Sequence, residues 1–161
     1  MKIYIGSDHA GYELKERIRV QLAQTGYDVE DFGTSTTESC DYPLIGVKVA
    51  EAVAADPETQ GILICGTGVG MSIAANKVPG IRAALAYNNY VAQYSREHNN
   101  ANILVLPGRV VGTDMAMAMV RAWLGARFAG GRHQRRLNQI QEIEQKFTHP
   151  SAAPAGSKET L

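Results

Sequence analysis

Short runs of β-branched and other apolar residues alternate along the chain with longer segments in which apolar side chains recur every three or four positions. The short runs predict strands at residues 2–5, 27–32, 61–65, 81–86 and 103–106. The longer segments predict helices at about residues 10–22, 43–54, 70–77, 90–98, 115–124 and 137–147. Strands that alternate with helices through short connections indicate a parallel sheet with helices on both of its faces.

The predicted strand at residues 61–65 is apolar throughout after its first glycine, which is typical of a strand buried on both faces of a parallel sheet. We therefore expect an α/β protein, a Rossmann-like three-layer α/β/α sandwich with a five-stranded parallel sheet and a C-terminal helix. One domain should span residues 1–147, and residues 148–161, which lack any apolar period, should form a flexible tail.

On the predicted last helix, one apolar stripe contains Leu137, Ile140, Ile143 and Phe147. Such a stripe either packs in the core of its own chain or covers the same stripe of a second copy. We expect the first arrangement, because the apolar face of a terminal helix more often completes its own domain.

The composition excludes several functional classes. The 161 residues, 45% of them hydrophobic, suit one folded domain, and no apolar run approaches the roughly 20 residues of a membrane-spanning helix. The first residues become polar too soon for a signal peptide. Cys40 and Cys65 are too few for a disulfide framework and too far apart for a CxxC motif, so we expect a reducing cytoplasm.

The 16 basic and 16 acidic side chains are distributed unevenly. Residues 1–60 hold 5 Lys and Arg against 11 Asp and Glu, and the rest of the chain holds 11 against 5. A stretch without any acidic residue contains Arg121, Arg127, Arg132, Arg135 and Arg136. A nucleic-acid partner is not expected, because the net charge is zero. The arginines fit a small anionic substrate or a solvated basic face.

A glycine-rich loop connects the buried strand to the next helix and has the sequence Cys65-Gly66-Thr67-Gly68-Val69-Gly70. In such a loop, backbone N–H groups can converge on an anion. The glycines lack the GxGxxG spacing of a dinucleotide site, and no Gly-Lys-Ser/Thr follows as in a P-loop. The loop therefore predicts a cradle for an oxyanion, with a thiol at its mouth.

Cys65 and Thr67 are the candidate catalytic residues of this loop. The N–H dipoles around the loop would favour a thiolate at Cys65, which could serve as a base or a nucleophile. Alternatively, Cys65 is an inert small side chain of the core. Thr67 could donate a hydrogen bond to the same centre, or it could simply cap the following helix.

Further candidates lie near other predicted strand and helix ends. Asp8 and His9 follow the first strand, although Asp8 could instead be a helix cap. His98 lies near the end of its helix, where it could simply be a favourable partner of the helix dipole. The spacing of the histidines does not match a metal site.

A phosphate site is a second hypothesis from the pattern of arginines. Arg132 and Arg136 are four residues apart and share one face of the last helix, and Arg109 follows the last strand. If these guanidinium groups converge with His9, they can bind a phosphate.

Six motifs of the chain are Ser7-Asp8-His9-Ala10-Gly11-Tyr12, Asp41-Tyr42-Pro43, Cys65-Gly66-Thr67-Gly68-Val69-Gly70, Ala74-Ala75-Asn76-Lys77, Arg96-Glu97-His98-Asn99-Asn100 and Gly131-Arg132-His133-Gln134-Arg135-Arg136. In their order and with plausible spacing, these motifs resemble those of the type B ribose-5-phosphate isomerases. The resemblance covers residues 1 to about 147. It implies a Rossmann-like sandwich, a homodimer that is sometimes paired into a tetramer, and cofactor-free interconversion of ribose 5-phosphate and ribulose 5-phosphate.

The resemblance also implies residue roles. Cys65 would be the base that moves a proton from C2 to C1 of the opened sugar, and His98 would open the furanose ring with Asp8 beside it. The groups implied to stabilise the enediolate are Thr67 and the amides of Gly66, Gly68, Val69 and Gly70. Those implied to bind the phosphate are His9, Arg109, Arg132 and Arg136, of which the last two could come from the partner subunit. Those implied to complete the sugar pocket are Tyr42 and Asn99.

Some members of the family lack the cysteine and carry a glutamate base just after the glycine loop, where this chain has Met71. The chain thus resembles the cysteine branch. Two alternatives stay open: isomerisation of a six-carbon sugar phosphate, such as allose 6-phosphate or galactose 6-phosphate, and a non-catalytic nucleotide- or flavin-binding module.

Overall fold

Strands and helices alternate in the computed structural model, which describes residues 1–148. The strands are β1 (Lys2–Ser7), β2 (Asp28–Asp31), β3 (Gln60–Cys65), β4 (Ala83–Leu85) and β5 (Ile103–Pro107). The helices are α1 (Tyr12–Gln24), α2 (Tyr42–Ala55), α3 (Val69–Ala75), α4 (Asn89–Asn99), α5 (Thr113–Gly125) and α6 (Arg132–Thr148). The predicted α/β fold is therefore confirmed, and most predicted element ends differ from the observed ones by one or two residues.

The five strands are parallel and have the order β2-β1-β3-β5-β4. The chain runs from β1 outward to β2 and then returns to β3 on the other side of β1. The direction of winding therefore reverses between β1 and β3, and sheets of this kind bind ligands at the carboxyl ends of the strands at such a point. Ser7 pairs with Ile64, so the loops that follow β1 and β3 begin side by side.

Both faces of β3 contribute to the core, because successive side chains point to opposite faces of the sheet. Ile62 and Ile64 pack with residues of α1 and α5, including the fully buried Trp123. Leu63 and Cys65 pack in a second cluster with residues of α2 and α3. The predicted two-sided burial of this strand is confirmed, and the thiol lies on the face covered by α2 and α3.

Helix α6 contributes little to the core of its own chain. Leu137 is buried, but Ile140, Ile143 and Phe147 of the same stripe are 50%, 58% and 74% exposed. The prediction that the stripe packs in the chain's own core is wrong for these three side chains, because α6 packs mainly on α4 and places them outside both core clusters.

Helix α6 ends at Thr148, which is the first residue of the predicted tail. Residues 149–161, the rest of that tail, lie outside the described residues. Within residues 1–148, no helix is both long enough and apolar enough to pass through a bilayer.

Candidate active site

Cys65 is the last residue of β3 and lies at the carboxyl edge of the sheet. Its side chain is 5% exposed and packs between the sheet and helices α2 and α3. The sulfur accepts a hydrogen bond from the backbone N–H of Gly68, with an N···S distance of 3.2 Å. A backbone N–H that donates to a sulfur is one of the contacts by which a protein can stabilise a negatively charged sulfur.

Gly68 makes this hydrogen bond possible through its backbone conformation. Its φ of +78° lies in the left-handed region, which residues with a side chain rarely adopt. A Cβ at this position would also overlap Cδ1 of Leu85. The turn therefore requires glycine for two reasons, and it directs the Gly68 N–H back towards the Cys65 sulfur.

The other two glycines of the loop allow neighbouring side chains to lie against the backbone. A Cβ added to Gly66 would lie 3.5 Å from Cδ of Arg109, whose backbone N–H donates to the Gly66 carbonyl at 3.0 Å. A Cβ added to Gly70 would lie 2.5 Å from Cζ and 2.7 Å from Oη of Tyr42. Arg109 and Tyr42 thus both contact the loop that holds Cys65.

Thr67 and Val69 are the exposed residues of this loop. The backbone N–H of Val69 donates to Oγ1 of Thr67 at 3.4 Å. The residue that caps α3 is Gly68, so Thr67 does not occupy the cap position. A hydroxyl that accepts one hydrogen bond can still donate its own proton to a ligand.

Asp8 and His9 follow β1, which is next to β3 in the sheet. Oδ1 of Asp8 accepts the backbone N–H groups of Ala10 at 3.0 Å and Gly11 at 3.1 Å, so the carboxylate stabilises the turn into α1. Nδ1 of His9 accepts the backbone N–H of Cys40 at 3.3 Å. A neutral imidazole that accepts at Nδ1 carries its proton on Nε2, which can then donate to an anion.

His9 and Arg109 line one cavity of about 390 Å³, between the start of α1 and the start of α5. Arg17 lines the same cavity. Two guanidinium groups and an imidazole donor around one cavity suit a phosphate. No pattern in the sequence points to Arg17, because it resembles the other charged side chains on the solvated face of α1 and only the packing of α1 brings it to this cavity.

His98 and Asn99 lie at the opposite end of the sheet. They are the last residues of α4, and this helix returns from the carboxyl edge to the amino edge because it connects two parallel strands. Nε of Arg82, which precedes β4, donates to the carbonyl oxygens of Asn99 at 3.1 Å and Asn100 at 3.0 Å. With roughly 3.3 Å per strand residue, the length of β5 separates this end from Cys65 by about 15 Å.

Arg132 and Arg136 lie at the same end as His98, in the first turns of α6. Between them is His133, whose ring stacks on the ring of His98 with a centroid distance of 4.1 Å and an interplanar angle of 7°. Loss of hydration lowers the pKa of His133, and the neighbouring His98, Arg132 and Arg136 lower it further. No local pattern in the sequence predicts this stack, because the two histidines are far apart in the chain.

Within one chain, the structure divides the predicted site residues into two groups. At the carboxyl edge it brings together Asp8, His9, Tyr42, Cys65, Gly66, Thr67, Gly68, Val69, Gly70 and Arg109. At the amino edge it brings together His98, Asn99, Arg132 and Arg136. The expected neighbourhood of His98 and Asp8 does not occur within one chain, because α4 carries His98 to the far end of the sheet.

A family model described as Ribose/Galactose Isomerase matches residues 3–140 of the chain. The chain belongs to this family. The matched range includes both groups of candidate residues and ends within α6.

Two curated relatives of this chain are named for different substrates. The chain is 51% identical over 145 residues to ribose-5-phosphate isomerase B of Escherichia coli strain K12, covering 90% of this chain and 97% of that protein. It is 40% identical over 150 residues to D-erythrulose-4-phosphate isomerase of Pectobacterium atrosepticum, covering 92% of this chain and 99% of that protein.

Solved structures of this family superpose closely on the chain. Ribose-5-phosphate isomerase B of Clostridium thermocellum matches with a TM-score of 0.89 and 60% identity, covering 91% of this chain and 99% of that chain. The enzyme of the same name from Mycoplasma genitalium, with bound ribulose 5-phosphate, matches with a TM-score of 0.88 and 41% identity, covering 90% and 97% of the two chains.

Met71 occupies the position at which some members of the ribose/galactose isomerase family are expected to carry a glutamate base. Its side chain is fully buried and packs in the same cluster as Cys65. The segment from Cys65 to Met71 contains no carboxylate, so Cys65 is the candidate base in this loop. Within the described part of the chain, no group of three or more His, Cys, Asp and Glu side chains could hold a metal ion.

Proposed function

We propose that this chain interconverts D-ribose 5-phosphate and D-ribulose 5-phosphate, with Cys65 as the base. The proposal depends on one observation above all, the hydrogen bond from the Gly68 N–H to the Cys65 sulfur at the carboxyl edge of the sheet. The names of the relatives from Escherichia coli and Clostridium thermocellum support this substrate.

The reaction exchanges two protons within one sugar and needs no redox partner. In the opened aldose, the Cys65 thiolate removes the proton from C2, and the electrons form the C1–C2 double bond of an enediolate while O1 takes up the negative charge. The O2–H proton passes to O1 as the C2 carbonyl forms, and the Cys65 thiol returns its proton to C1. Thr67 and the loop amides stabilise the charge on the enediolate oxygens.

The phosphate binds in the cavity that His9 and Arg109 line. The Cys40 N–H holds Nδ1 of His9 as an acceptor, which leaves Nε2–H to donate to a phosphate oxygen. Arg109 lies between this cavity and Gly66, so the phosphate and the reacting carbons would be held on either side of the same guanidinium group. Binding energy from the phosphate then orients C1 and C2 at the base.

A second copy of the chain completes the site in this proposal. His98, Asn99, Arg132 and Arg136 lie about 15 Å away from Cys65 of their own chain, by the length of a strand of roughly 3.3 Å per residue. They can act at the Cys65 of another chain only if the amino edge of one sheet faces the carboxyl edge of the other. The exposed side chains of Ile140, Ile143 and Phe147 on α6 provide apolar surface for such a homodimer.

His98 of the second chain would open the furanose ring. It accepts the O1–H proton and delivers a proton to O4, while the C1–O4 bond breaks and the C1 carbonyl forms. Arg132 and Arg136, on the helix packed beside His98, would add charge to the phosphate site.

Sugar phosphates of other lengths are the second candidate substrates. The family name includes galactose, and one relative is named for the four-carbon erythrulose 4-phosphate. Side-by-side kcat/KM values for ribose 5-phosphate, allose 6-phosphate, galactose 6-phosphate and erythrose 4-phosphate would identify the preferred substrate. A clear preference for one of the last three would change the proposed substrate and leave the proposed isomerisation mechanism unchanged. A co-purifying flavin would instead support the non-catalytic module.

The test of the reaction is incubation with ribose 5-phosphate in heavy water. Wild-type protein should form ribulose 5-phosphate and incorporate deuterium at carbon, since the proton passes through an exchangeable thiol. The Cys65→Ala variant should do neither. Absence of both signals with the wild-type protein would contradict the proposed function.

The proposed location is the cytoplasm. A cysteine base works only as a free thiol, and Cys65 and Cys40 are both free. A reducing compartment keeps such thiols available.

A further inference from the structure

A row of aromatic rings runs along α4 and continues onto α6. Tyr90, Tyr94 and His98 are spaced four residues apart and share one face of α4. Their ring centroids are 4.4 Å and 4.6 Å apart, with tilts of 41° and 54°. The last pair of the row, His98 and His133, is nearly parallel, with a ring-centroid distance of 4.1 Å and an interplanar angle of 7°.

The imidazole of His98 is therefore in contact with two rings, Tyr94 on its own helix and His133 on α6. A parallel stack opposes rotation of the ring about its bond to Cβ, because rotation would lose the face-to-face contact. The two nitrogens of His98 are thus held in fixed directions before any ligand binds.

His133 is itself held firmly. Its side chain is 8% exposed, and its backbone N–H donates to the carbonyl of Gly130 at 3.0 Å. The loop before α6 is attached to α4 as well, since the N–H of Ala129 donates to the carbonyl of Glu97, the residue before His98, at 2.9 Å. The stack therefore lies between two segments whose backbones are hydrogen-bonded to each other.

Ring opening needs a well-oriented imidazole. The ring must accept a proton from O1 and deliver one to O4 of the same furanose, so its nitrogens must reach two neighbouring oxygens of one substrate. A freely rotating imidazole would satisfy this requirement for only part of the time. The charge state of the neighbour also matters, because a protonated His133 would oppose the proton that His98 has to carry. The surroundings of His133 disfavour its protonation, because lost hydration and the neighbouring His98, Arg132 and Arg136 all lower its pKa.

We propose that His133 is a positioning residue, which holds His98 by ring stacking in the orientation that opens the sugar ring. The inference deepens the proposed function and rests on it. His133 does not touch the substrate in this scheme. It acts through His98, and it also fixes His98 relative to Arg132 and Arg136 on the same helix.

The test separates ring opening from proton transfer between carbons. Ribose 5-phosphate is a closed furanose in solution and requires ring opening. Ribulose 5-phosphate is acyclic, because its O5 is esterified and cannot close a five-membered ring onto C2, so exchange of its C1 proton with heavy water needs only the proton transfers between sulfur and carbon. For full-length wild type, His133→Ala, His133→Phe and His133→Asn, we would measure kcat/KM for ribose 5-phosphate and the rate of deuterium exchange at C1 of ribulose 5-phosphate. Gln134→Ala, an exposed neighbour on the same helix, is the control.

If His133 positions His98, His133→Ala lowers kcat/KM for ribose 5-phosphate by about ten- to a hundredfold and changes the rate of exchange at C1 of ribulose 5-phosphate by less than about twofold. His133→Phe, which keeps a flat aromatic partner, restores most of the activity on ribose 5-phosphate. Should His133→Ala fail to fold, the comparison of His133→Phe with His133→Asn replaces it, and the phenylalanine variant is expected to be the faster one.

Equal losses of ribose 5-phosphate conversion and of C1 exchange in ribulose 5-phosphate would overturn the inference, because they would indicate a general structural or phosphate-binding role. A His133→Phe variant as slow as His133→Ala, or as slow as His133→Asn, would also overturn it, and so would an unchanged rate on ribose 5-phosphate in His133→Ala. Failure of the proposed function gives a different result: the wild-type protein itself would convert neither sugar, and the inference would fall with it.

Discussion

The Cys65 sulfur lies 3.2 Å from the backbone nitrogen of Gly68, which donates a hydrogen bond to it. The contact closes a tight loop, since the two residues are only three positions apart and Gly68 has a left-handed backbone. The hydrogen bond depends on the thiol of Cys65 and on the left-handed backbone of Gly68, which glycine adopts readily. Substitutions at the two positions can remove the thiol and the backbone conformation separately.

Cys65→Ala should fold, because it replaces a small buried side chain by a smaller one. Its kcat/KM for ribose 5-phosphate should fall by about a hundred- to ten-thousandfold, the contribution of a positioned acid–base group. Cys40→Ala is the matched control, since it removes the other thiol and keeps the Cys40 N–H that donates to His9. A folded Cys65→Ala variant that retains most of its activity would reject Cys65 as the base.

Gly68→Ala should be destabilised by about 1–3 kcal/mol and should lose most activity, because the left-handed backbone and the overlap with Leu85 both oppose a Cβ. Gly26→Ala is the control: its φ is +89°, but an added Cβ there meets nothing within 4 Å. It should be destabilised less and remain active. Urea unfolding and steady-state kinetics measure both effects. Equal losses of stability in Gly68→Ala and Gly26→Ala would show that the side chain of Leu85 can move away from the added Cβ at little cost in free energy.

Mixing two inactive variants tests whether one site takes residues from two chains. Cys65→Ala and His98→Asn should each be inactive alone. In a mixed dimer, one site carries both substitutions and the other carries neither. Refolding the two together should restore about a quarter of wild-type activity, because half of the dimers are mixed and each has one intact site. No recovery, with mixed dimers shown by two affinity tags, would place Cys65 and His98 in sites of the same chain.

Acid should weaken the contribution of Glu16 to stability. Its carboxylate accepts hydrogen bonds from Arg19 and from the buried Lys15, and these lower its pKa from 4.5 to about 2. The stabilisation is therefore present above the ordinary pKa and is lost as the pH falls from 4.5 towards 2. Glu16→Gln should cost about 1 kcal/mol near neutral pH, and this difference should shrink over that range. Urea unfolding at several pH values measures it.

The exposed Glu13 provides the control for this experiment. Glu13→Gln should leave the free energy of unfolding nearly unchanged at every pH, because Glu13 makes no ion pair with any other described residue. A Glu16→Gln effect that does not decrease in acid would indicate lost packing instead of lost charge.

The order and type of the elements followed from the sequence because apolar periodicity is a local property of each segment. The wholly apolar run of β3 predicted burial on both faces, and the glycines after it predicted a turn. Together they placed Cys65 at the carboxyl edge, because a loop that follows a parallel strand always begins there. The left-handed turn at Gly68 and its bond to the sulfur needed the structure, since the sequence GxGxG is compatible with several turn geometries.

The sequence by itself thus determined the elements, the sheet type and the loop that carries the thiol. Only the tertiary structure decided which residues meet. It paired His98 with His133, brought Arg17 to the cavity of His9 and Arg109, and left three apolar side chains of α6 exposed. It also separated His98 from Cys65 by the length of the sheet. These contacts join segments far apart in the chain, and they depend on how helices pack on a particular strand order, which no local pattern of residues records.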